Sequence, residues 1–216
     1  MDKSRQIFTT GLLLSAFAVI GTGLVAFTYE QTKDQIAEVE RRALLKSLHS
    51  VVPPSAHNNE LINDQIDLSS EKYLGTRQPL PVFRARNNGQ PVAAILTAVA
   101  PDGYNGKIKL LIGISYEGEL NGVRVIDHRE TPGLGDAIET RRSDWILVFD
   151  GHSIENTERK KWKVKKDGGV FDQITGATIT PRAIVKAVYK ALTYYQLNRD
   201  SIFNKPAQRA IEKQVS

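Results

Sequence analysis

One uninterrupted apolar segment near the amino terminus constrains this chain more than any other feature. The 21 residues from Ile7 to Phe27 carry no charged side chain, and a helix of that length spans about 30 Å, the thickness of the hydrocarbon core of a bilayer. A cleaved signal peptide is the alternative, but its apolar region normally runs for about 7–15 residues, and no small-residue cleavage site follows the segment. The segment therefore predicts one uncleaved transmembrane helix.

The charges that flank the apolar segment predict its orientation. Lys3 and Arg5 precede it, whereas the other flank opens with Glu30 and balances Lys33 against Asp34. Because cationic residues are retained on the cytoplasmic side of a membrane, we expect the short amino terminus to be cytoplasmic. The bulk of the chain is then extracytoplasmic.

Composition restricts the chemistry of the remainder. With 216 residues, 41% of them hydrophobic and 25% charged, the chain suits one globular domain beside the apolar segment. It contains no cysteine, which excludes thiolate nucleophiles, disulfides and cysteine-ligated iron–sulfur clusters, so any redox chemistry needs a bound organic cofactor. The net charge is +5, but the basic residues are scattered among acidic ones, and we therefore expect no nucleic-acid partner.

Two further classes of site find no support in the sequence. None of the four histidines lies four residues from another, the spacing at which two helical side chains share a metal, so we predict no metal site. No nucleophile elbow is present, so a hydrolase has no support. We predict no catalytic residue in this chain.

Periodicity divides the chain into segments. From Glu30 to about Val51 apolar residues recur at helical spacing among many charges, and Pro53 and Pro54 end the pattern. We expect a helical stalk that continues the anchor outward. The predicted organisation is a cytoplasmic terminus and anchor over residues 1–28, a stalk over 29–54, a globular domain over 55–198 and a polar tail over 199–216.

The globular segment is predicted to be α+β. Alternating apolar residues separated by short turns indicate four strands in an antiparallel meander, at residues 82–86, 92–98, 108–115 and 123–128. Residues 55–80 are polar and are expected to be mostly irregular or to form short elements. Short helical patterns reach residue 138 and cover 144–149, and an i, i+3, i+4 apolar stripe predicts a helix from Pro181 to about Leu197.

A threonine-rich turn precedes that last helix. Pro181 suits the first turn, and Thr180 before it suits an N-cap, which would place Thr178 two residues outside the helix. Helix amino termini present unpaired N–H groups and a partial positive charge, so small residues with hydroxyls at this point suit a bound phosphate. Taken alone, the same residues also fit a turn that only caps a helix.

Two motifs carry a resemblance to known proteins. The segment from Asp172 to Thr178, DQITGAT, resembles the D-x-x-[ST]-G-A-T signature of the covalent FMN-binding domain family. The segment from His128 to Gly135, HRETPGLG, resembles the H-x-E-T-P-G-L-G stretch shared by the RnfG/RsxG family of the Rnf/Rsx electron transport complex and by NqrC of sodium-translocating NADH:quinone reductase. Residues 100–106, 143–145 and 165–169 look like the RnfG/RsxG family, as does the single anchor.

The resemblance implies a function. It implies an electron-transfer subunit of an ion-translocating oxidoreductase complex in the bacterial inner membrane, with a periplasmic domain that carries FMN esterified through its phosphate to Thr178. It implies other membrane subunits as partners, electron flow between ferredoxin and NAD-type carriers, and a separate flavin transferase, for which Asp172 is a recognition candidate. Since a threonine hydroxyl is a poor nucleophile, attachment by an external enzyme agrees with the absence of an obvious base beside Thr178.

Other residues are candidates for contact with the ring or phosphate of FMN. They share the two motifs or offer charge or an aromatic surface: Thr175, Gly176, Ala177, Thr180, Thr131, Leu134, Gly135, Trp145, Lys165 and Lys166. For four of them a structural role is the alternative: Trp145 as core, Lys165 and Lys166 as a solvated strand face, and Thr180 as a cap. The competing function for the whole chain is a membrane-tethered, non-redox binding or assembly protein.

Overall fold

The structure, a computed structural model, describes residues 3–207 apart from the side chain of Ser4. Its contacts form two compact units, one up to Leu44 and one from Leu45 onward.

The described residues of the first unit are helical. Helix α1 runs from Lys3 to His49 and contains both the apolar segment and the charged segment that follows it. It is the one helix in residues 3–207 that is long and apolar enough to cross a membrane. Its apolar side chains, Leu13 and Phe17 among them, are exposed, as expected for a surface that meets lipid. The predicted membrane helix is therefore present as a helix.

The second unit is built on a five-stranded antiparallel sheet in the order β1-β2-β3-β4-β5. The strands are β1 (Gln65–Ser70), β2 (Thr76–Asn87), β3 (Gln90–Gly103), β4 (Gly106–Ser115) and β5 (Leu120–Asp127). The predicted meander is confirmed as β2–β5. The tight turn between β2 and β3 follows from Asn88 and Gly89, which both adopt positive φ as a two-residue hairpin requires.

Strand β1 is a regular element within residues 55–80, which were expected to be mostly irregular or to form short elements, and no strand was predicted there. It is an edge strand that pairs only with β2, and it buries Ile66 and Leu68 while its other residues stay partly exposed or exposed. Two apolar residues among polar ones give a weak periodic signal, which explains why the strand was not predicted. Short helical turns complete the unit: α2 (Glu71–Leu74) and 3-10 helices at Pro54–Ala56, Leu61–Asn63, Gly135–Ile138, Trp145–Phe149, Arg159–Lys161 and Lys165–Asp167.

Helix α3 (Ile179–Asn204) covers one face of the sheet and packs mainly against β3. Its stripe of Ile184, Val188 and Leu192 lies in the main core, together with alternate residues of the strands. The opposite face is covered by the segment after α1: a Cβ on Gly113 would lie 2.8 Å from the carbonyl oxygen of Val51. The sheet is therefore buried on both faces, which explains the near-continuous apolar runs in β3 and β4.

Both ends of α3 differ from the prediction. The helix begins at Ile179, so Thr178 and not Thr180 occupies the N-cap position. Thr180 is fully buried and its hydroxyl donates to a carboxylate of a neighbouring loop, which removes it from a capping role. At the other end the helix extends past Leu197 to Asn204, because Ile202 and Phe203 bury their side chains.

Two arginines of β2 close the carboxyl-terminal end of α3. The guanidinium of Arg84 donates to the carbonyl of Ile202 at 2.9 Å, and that of Arg86 donates to the carbonyl of Phe203 at 2.8 Å. Both arginines also pair with Asp64. Cations at this end complement the helix dipole and satisfy carbonyls that have no partner within the helix.

Candidate functional site

The two motifs meet in one cavity of about 300 Å³ beside the amino terminus of α3. A cavity of this size lies at the lower end of the range for small-molecule sites. Its walls come from the loop after β3, the loop after β5 and the turn that opens α3. The lining residues are Tyr104, Glu130, Thr131, Leu134, Gly135, Gly176, Ala177, Thr178, Ile179 and Thr180.

Thr178 holds the N-cap position of α3 without acting as a cap. Its backbone is helical, with φ −69° and ψ −24°, and its side chain makes no capping hydrogen bond. The residue is half-buried in the cavity wall. The helix begins behind it with N–H groups that have no intrahelical acceptor, while Pro181 in the same turn has no N–H at all. The Thr178 hydroxyl is therefore available at the positive end of a 26-residue helix.

The turn before Thr178 comes close to the loop after β5. Gly176 has φ +80°, a left-handed conformation that only glycine adopts without strain, and a Cβ there would lie 3.2 Å from Cδ2 of Leu134. The N–H of Ala177 donates to the carbonyl of Ile174 at 3.1 Å, which closes the turn. The glycine and alanine of the motif thus give a compact turn with space in front of its backbone.

A buried carboxylate joins the walls of the cavity. Glu130 is 4% exposed, and its carboxylate accepts from the N–H of Asn105 at 3.1 Å and from the hydroxyl of Thr180. A Cβ on Gly135 would lie 2.9 Å from Cβ of Glu130 and 3.3 Å from the Thr180 hydroxyl oxygen. The side chain of Asn105 also donates to the Thr131 hydroxyl at 3.0 Å. Glu130 therefore links three separate chain segments: its own loop, the segment of Asn105 and the start of α3.

His128 supports Glu130 from outside the cavity. Its Nδ1 accepts from the N–H of Glu130 at 3.0 Å, so the ring proton lies on Nε2, which contacts Oε1 of Glu139 at 2.7 Å. The Arg141 guanidinium, followed by His128, lowers the pKa of Glu139 to about 2, against the opposing effect of burial. This chain of contacts fixes the loop between β5 and the next 3-10 helix, and it gives His128 a structural role.

An apolar rim surrounds the cavity mouth. Tyr104, Leu134 and Ile179 are 65%, 46% and 46% exposed, which is high for side chains of their size and polarity. Flat aromatic ligands bury their surface against side chains of this kind. The cavity thus combines a hydroxyl at a helix terminus with an apolar mouth.

Most of the predicted contact residues are brought together. Seven of them line the cavity: Thr178, Gly176, Ala177, Thr180, Thr131, Leu134 and Gly135. Thr175 belongs to the same turn but is exposed outside the cavity. Tyr104, Glu130 and Ile179 were not among the predicted residues, although Glu130 lies inside the second motif and Ile179 directly follows the first.

Three further candidates lie outside the cavity lining. Trp145 is half-buried, packs edge-to-face on Phe149 at 5.7 Å between ring centroids, and donates from Nε1 to the carbonyl of Asp172 at 2.7 Å. Lys165 pairs with the Asp172 carboxylate at 2.6 Å. Lys165 and Lys166 belong to a 3-10 helix, so their interpretation as a strand face was wrong. Trp145 and Lys165 therefore both contact Asp172, at the start of the segment that leads to Thr178.

Comparison with known proteins agrees with this geometry. Residues 103–193 match the FMN-binding domain family, and residues 1–51 match a family described as the RnfG N-terminal region. The chain is 48% identical over 202 residues to the G subunit of the ion-translocating oxidoreductase complex of Shewanella amazonensis, with 94% of each chain covered. It is 50% identical to that of Shewanella baltica, covering 94% and 95% of the two chains, and 47% identical to that of Pseudomonas aeruginosa, covering 92% of each. The chain belongs to the RnfG family.

Among solved structures, this RnfG family member is similar to the C subunit of a sodium-translocating NADH-quinone reductase from Parabacteroides distasonis. The identity is 22% and the TM-score 0.45, covering 68% of this chain and 76% of the other. The match to the FMN-binding domain family includes every residue that lines the cavity. The cavity is therefore the candidate FMN site of this RnfG family member.

Proposed function

We propose that the chain is a membrane-anchored electron-transfer subunit of an ion-translocating oxidoreductase complex, and that it carries FMN joined through its phosphate to the hydroxyl of Thr178. The observation that carries the proposal is the position of that hydroxyl. It stands at the amino terminus of α3, in a cavity formed by both motifs, and it makes no capping bond. A hydroxyl left out of the helix cap is available for a covalent bond.

The turn around Thr178 suits a phosphate. The helix presents free N–H groups and its positive dipole end at this point. Gly176 has no side chain and Ala177 has only a methyl group, so the backbone of the turn stays open to a phosphate. A side chain at position 176 would contact Leu134. A phosphodiester at this position keeps the cofactor with the chain even when the ring is exposed to solvent.

The ring of FMN would lie against the apolar rim. Tyr104, Leu134 and Ile179 offer exposed apolar surface beside Thr178, and Glu130 with Thr180 fixes the floor beneath them. Bound flavin supplies one- and two-electron transfer, and nearby charges and hydrogen bonds tune its potential. The contribution of this chain is to hold the ring at a defined edge of the domain.

Attachment of FMN would need an external flavin transferase. Within residues 3–207 no histidine or carboxylate side chain hydrogen-bonds to the Thr178 hydroxyl, so none of these residues acts on it as a base. The Asp172 side chain is exposed and pairs only with Lys165, which keeps it available as a recognition element on the same turn. We propose that the transferase recognises this turn and transfers FMN from FAD to Thr178: the threonine oxygen forms a bond to the FMN phosphorus, the pyrophosphate bond of FAD breaks, AMP leaves and the hydroxyl proton is released.

The topology follows from the sequence and is part of the proposal. The apolar part of α1 would cross the inner membrane with its amino terminus in the cytoplasm, and the FMN-binding domain would lie in the periplasm beside other subunits of the complex. A reporter fused after Ser216 should behave as periplasmic. A cytoplasmic reporter signal would overturn the orientation without touching the flavin assignment.

The attachment is tested by comparing Thr178→Val with Thr178→Ser in the full chain, co-expressed with a flavin transferase. On a denaturing gel we expect the wild-type chain to show flavin fluorescence. Mass spectrometry should show the added mass of FMN on the peptide that contains Thr178. The valine variant should lose both signals, whereas the serine variant keeps a hydroxyl and should retain part of the loading. Thr140→Val, which alters an exposed hydroxyl outside the cavity and outside both motifs, is the matched control and should load normally.

Fluorescence that survives in Thr178→Val, or that disappears in Thr140→Val, would contradict the assignment. A wild-type chain that is never yellow, even from its native host, would instead favour a non-redox assembly protein. Circular dichroism of the variants separates loss of loading from loss of the fold.

A further inference from the structure

A dense group of cations lies next to the proposed flavin site. Six of the eight residues from 159 to 166 are basic, and all six side chains are exposed. They are Arg159, Lys160, Lys161, Lys163, Lys165 and Lys166, here called the basic patch. Residues 158–167 hold two acidic side chains as well, so this short segment accounts for four of the five net positive charges of the chain. The basic residues are therefore less evenly scattered than expected above.

Most of the charge in the basic patch is not neutralised. Lys160 pairs with Glu158 at 2.9 Å and Lys165 pairs with Asp172 at 2.6 Å. Within the described part of the chain the other four cations have no carboxylate within 4 Å. Like charges in such close sequence repel one another, so this arrangement costs stability in the isolated chain.

The patch is held rigidly in spite of that repulsion. Trp162 is 6% exposed and donates from Nε1 to the carbonyl of Thr157 at 3.1 Å, and Val164 is fully buried. A Cβ on Gly169 would collide with the carbonyl oxygen of Lys163, so the following turn packs directly on the patch backbone. Alternation of buried apolar and exposed basic residues therefore presents the cations on one fixed surface, which lowers the entropy that a partner must overcome.

Two ion pairs connect the patch to the turn that ends at Thr178. Asp167, at the end of the patch, accepts two bonds of 2.6 Å from Arg182, whose N–H approaches the Thr178 carbonyl at 3.5 Å. Lys165 reaches Asp172, which lies six residues before Thr178 in the same turn. The basic patch thus adjoins the end of the domain at which the flavin would be accessible.

We propose that the basic patch docks an acidic surface of the protein subunit that exchanges electrons with the flavin. This inference rests on the proposed function. Transient redox contacts are small and use complementary charge to orient the partners and speed their encounter. A rigid, unpaired cationic surface beside an accessible cofactor has the chemistry for such a contact.

The same observations argue against other polyanions. A single-stranded nucleic acid would need exposed aromatic rings for base stacking, and the aromatic residue within the patch, Trp162, is buried. An anionic membrane surface would gain from apolar side chains that insert into it, but Val164 and Trp162 both point into the core. Neither partner accounts for the link between the patch and the turn that bears Thr178.

The test compares two double charge reversals in the full chain, assembled with the other subunits of its complex in nanodiscs of neutral lipid. One variant is Lys161→Glu with Lys166→Glu. The matched control is Lys72→Glu with Arg77→Glu, which changes the net charge equally at two exposed cations of α2 and β2. Flavin loading of each chain is read on a denaturing gel, and reduction of the covalent flavin after mixing with NADH is followed by its absorbance.

We expect normal flavin loading in both variants, with flavin reduction at least tenfold slower in the patch variant at about 50 mM salt and less than twofold slower in the control. The wild-type rate should fall as salt rises towards about 300 mM, and the patch variant should lose most of that dependence. Equal rates in the two variants would overturn the proposal. A rate that needs anionic lipid would also overturn it, in favour of membrane binding, and loss of loading in the patch variant would assign the patch to the transferase.

These outcomes separate this inference from the proposed function. If the docking proposal fails, the chain is still loaded with flavin, but its rate of flavin reduction does not depend on the basic patch. Failure of the proposed function leaves a wild-type chain without covalent flavin, and the docking proposal then falls with its premise.

Discussion

The two ends of α3 are finished in opposite ways. At the carboxyl-terminal end two arginines from β2 donate to the carbonyls of Ile202 and Phe203, and Arg84 also reaches the carbonyl of Lys205 at 2.5 Å. At the amino-terminal end Thr178 occupies the N-cap position with no capping bond from its side chain. The same helix is closed by buried charge at one terminus and left open at the other.

The difference shows that the stabilising contacts of α3 and its proposed reactive hydroxyl lie at opposite ends of the helix. A threonine at an N-cap normally gives its oxygen to the first turn of the helix, a contact that contributes about 1 kcal/mol. Here the first turn is held by the Thr180–Glu130 contact, deeper in the domain and out of the way of the Thr178 hydroxyl. Stabilisation of α3 therefore comes from its far end and its buried side, which leaves the Thr178 oxygen available for the covalent bond that we propose.

The largest effect is expected at the closed end. Arg84→Ala should lower the free energy of unfolding by about 3–5 kcal/mol, because it breaks a buried charge pair and leaves helix carbonyls without donors. Thr178→Val is its counterpart at the open end and should cost less than about 0.5 kcal/mol, because no capping bond is lost. Urea unfolding of the full chain in detergent, followed by circular dichroism, measures both values.

Equal costs at the two ends would remove the contrast, and a costly Thr178→Val would mean that the hydroxyl does support the helix. Arg84→Lys provides an intermediate test, since lysine keeps the charge but cannot bridge several acceptors in one plane. We expect it to recover only part of the lost stability.

A smaller effect is expected at Glu130, which stabilises the open end from below. Glu130→Ala should cost about 1–3 kcal/mol, because the Thr180 hydroxyl and the N–H of Asn105 lose their buried acceptor. Glu130→Gln keeps one carbonyl oxygen and should cost less. The same unfolding experiment compares them, and flavin loading should fall in the alanine variant because the walls of the cavity separate.

A Glu130→Ala variant that unfolds and loads like wild type would show that the two motifs hold their positions without the carboxylate. Glu117→Ala, at an exposed turn outside the cavity, is a control that should leave both measurements unchanged.

The smallest effect concerns pH and the loop that carries Glu130. The pKa of Glu139 is lowered from 4.5 to about 2, so its ionised form stabilises the folded state at pH values above about 4.5, and this contribution is lost as pH falls towards 2. The stability difference between wild type and Glu139→Gln should therefore be full at pH 6 and shrink steadily between pH 5 and pH 3. Urea midpoints at several pH values measure it, with exposed Glu155→Gln as the control. A difference that stays constant over this range would mean that Glu139 is not held ionised by Arg141.

Much of this architecture could be predicted from the sequence because the signals were local. Strands β2–β5 alternate or run apolar between turn residues, the α3 stripe is periodic, and the turn ending at Thr178 is a dense motif. These features act over fewer than about ten residues, so the sequence alone places them. The same holds for Leu134 and Gly135, which the second motif brought into the cavity as expected.

The remainder depended on contacts between distant segments. Arg84 looks like a solvent-facing residue of an alternating strand, yet it is buried because α3 ends above it, 118 residues further along the chain. Glu130 sits in a recognised motif, but its partners are Asn105 and Thr180, and nothing local marks it as the link between them. Lys165 was interpreted as part of a strand, but it lies in a 3-10 helix that ends before Gly168. The segment folds back there because Gly169 packs against the carbonyl of Lys163, a contact that the sequence does not reveal.

The bond from the Trp145 indole to the Asp172 carbonyl has an optical consequence. The chain has two tryptophans, and one of them is tied directly to the turn that would bear the flavin while the other is buried in the core. Indole emission overlaps the near-ultraviolet absorption of flavins, so a loaded chain should be quenched relative to an empty one. Tryptophan fluorescence should therefore report the fraction of chains that carry flavin, without an added label.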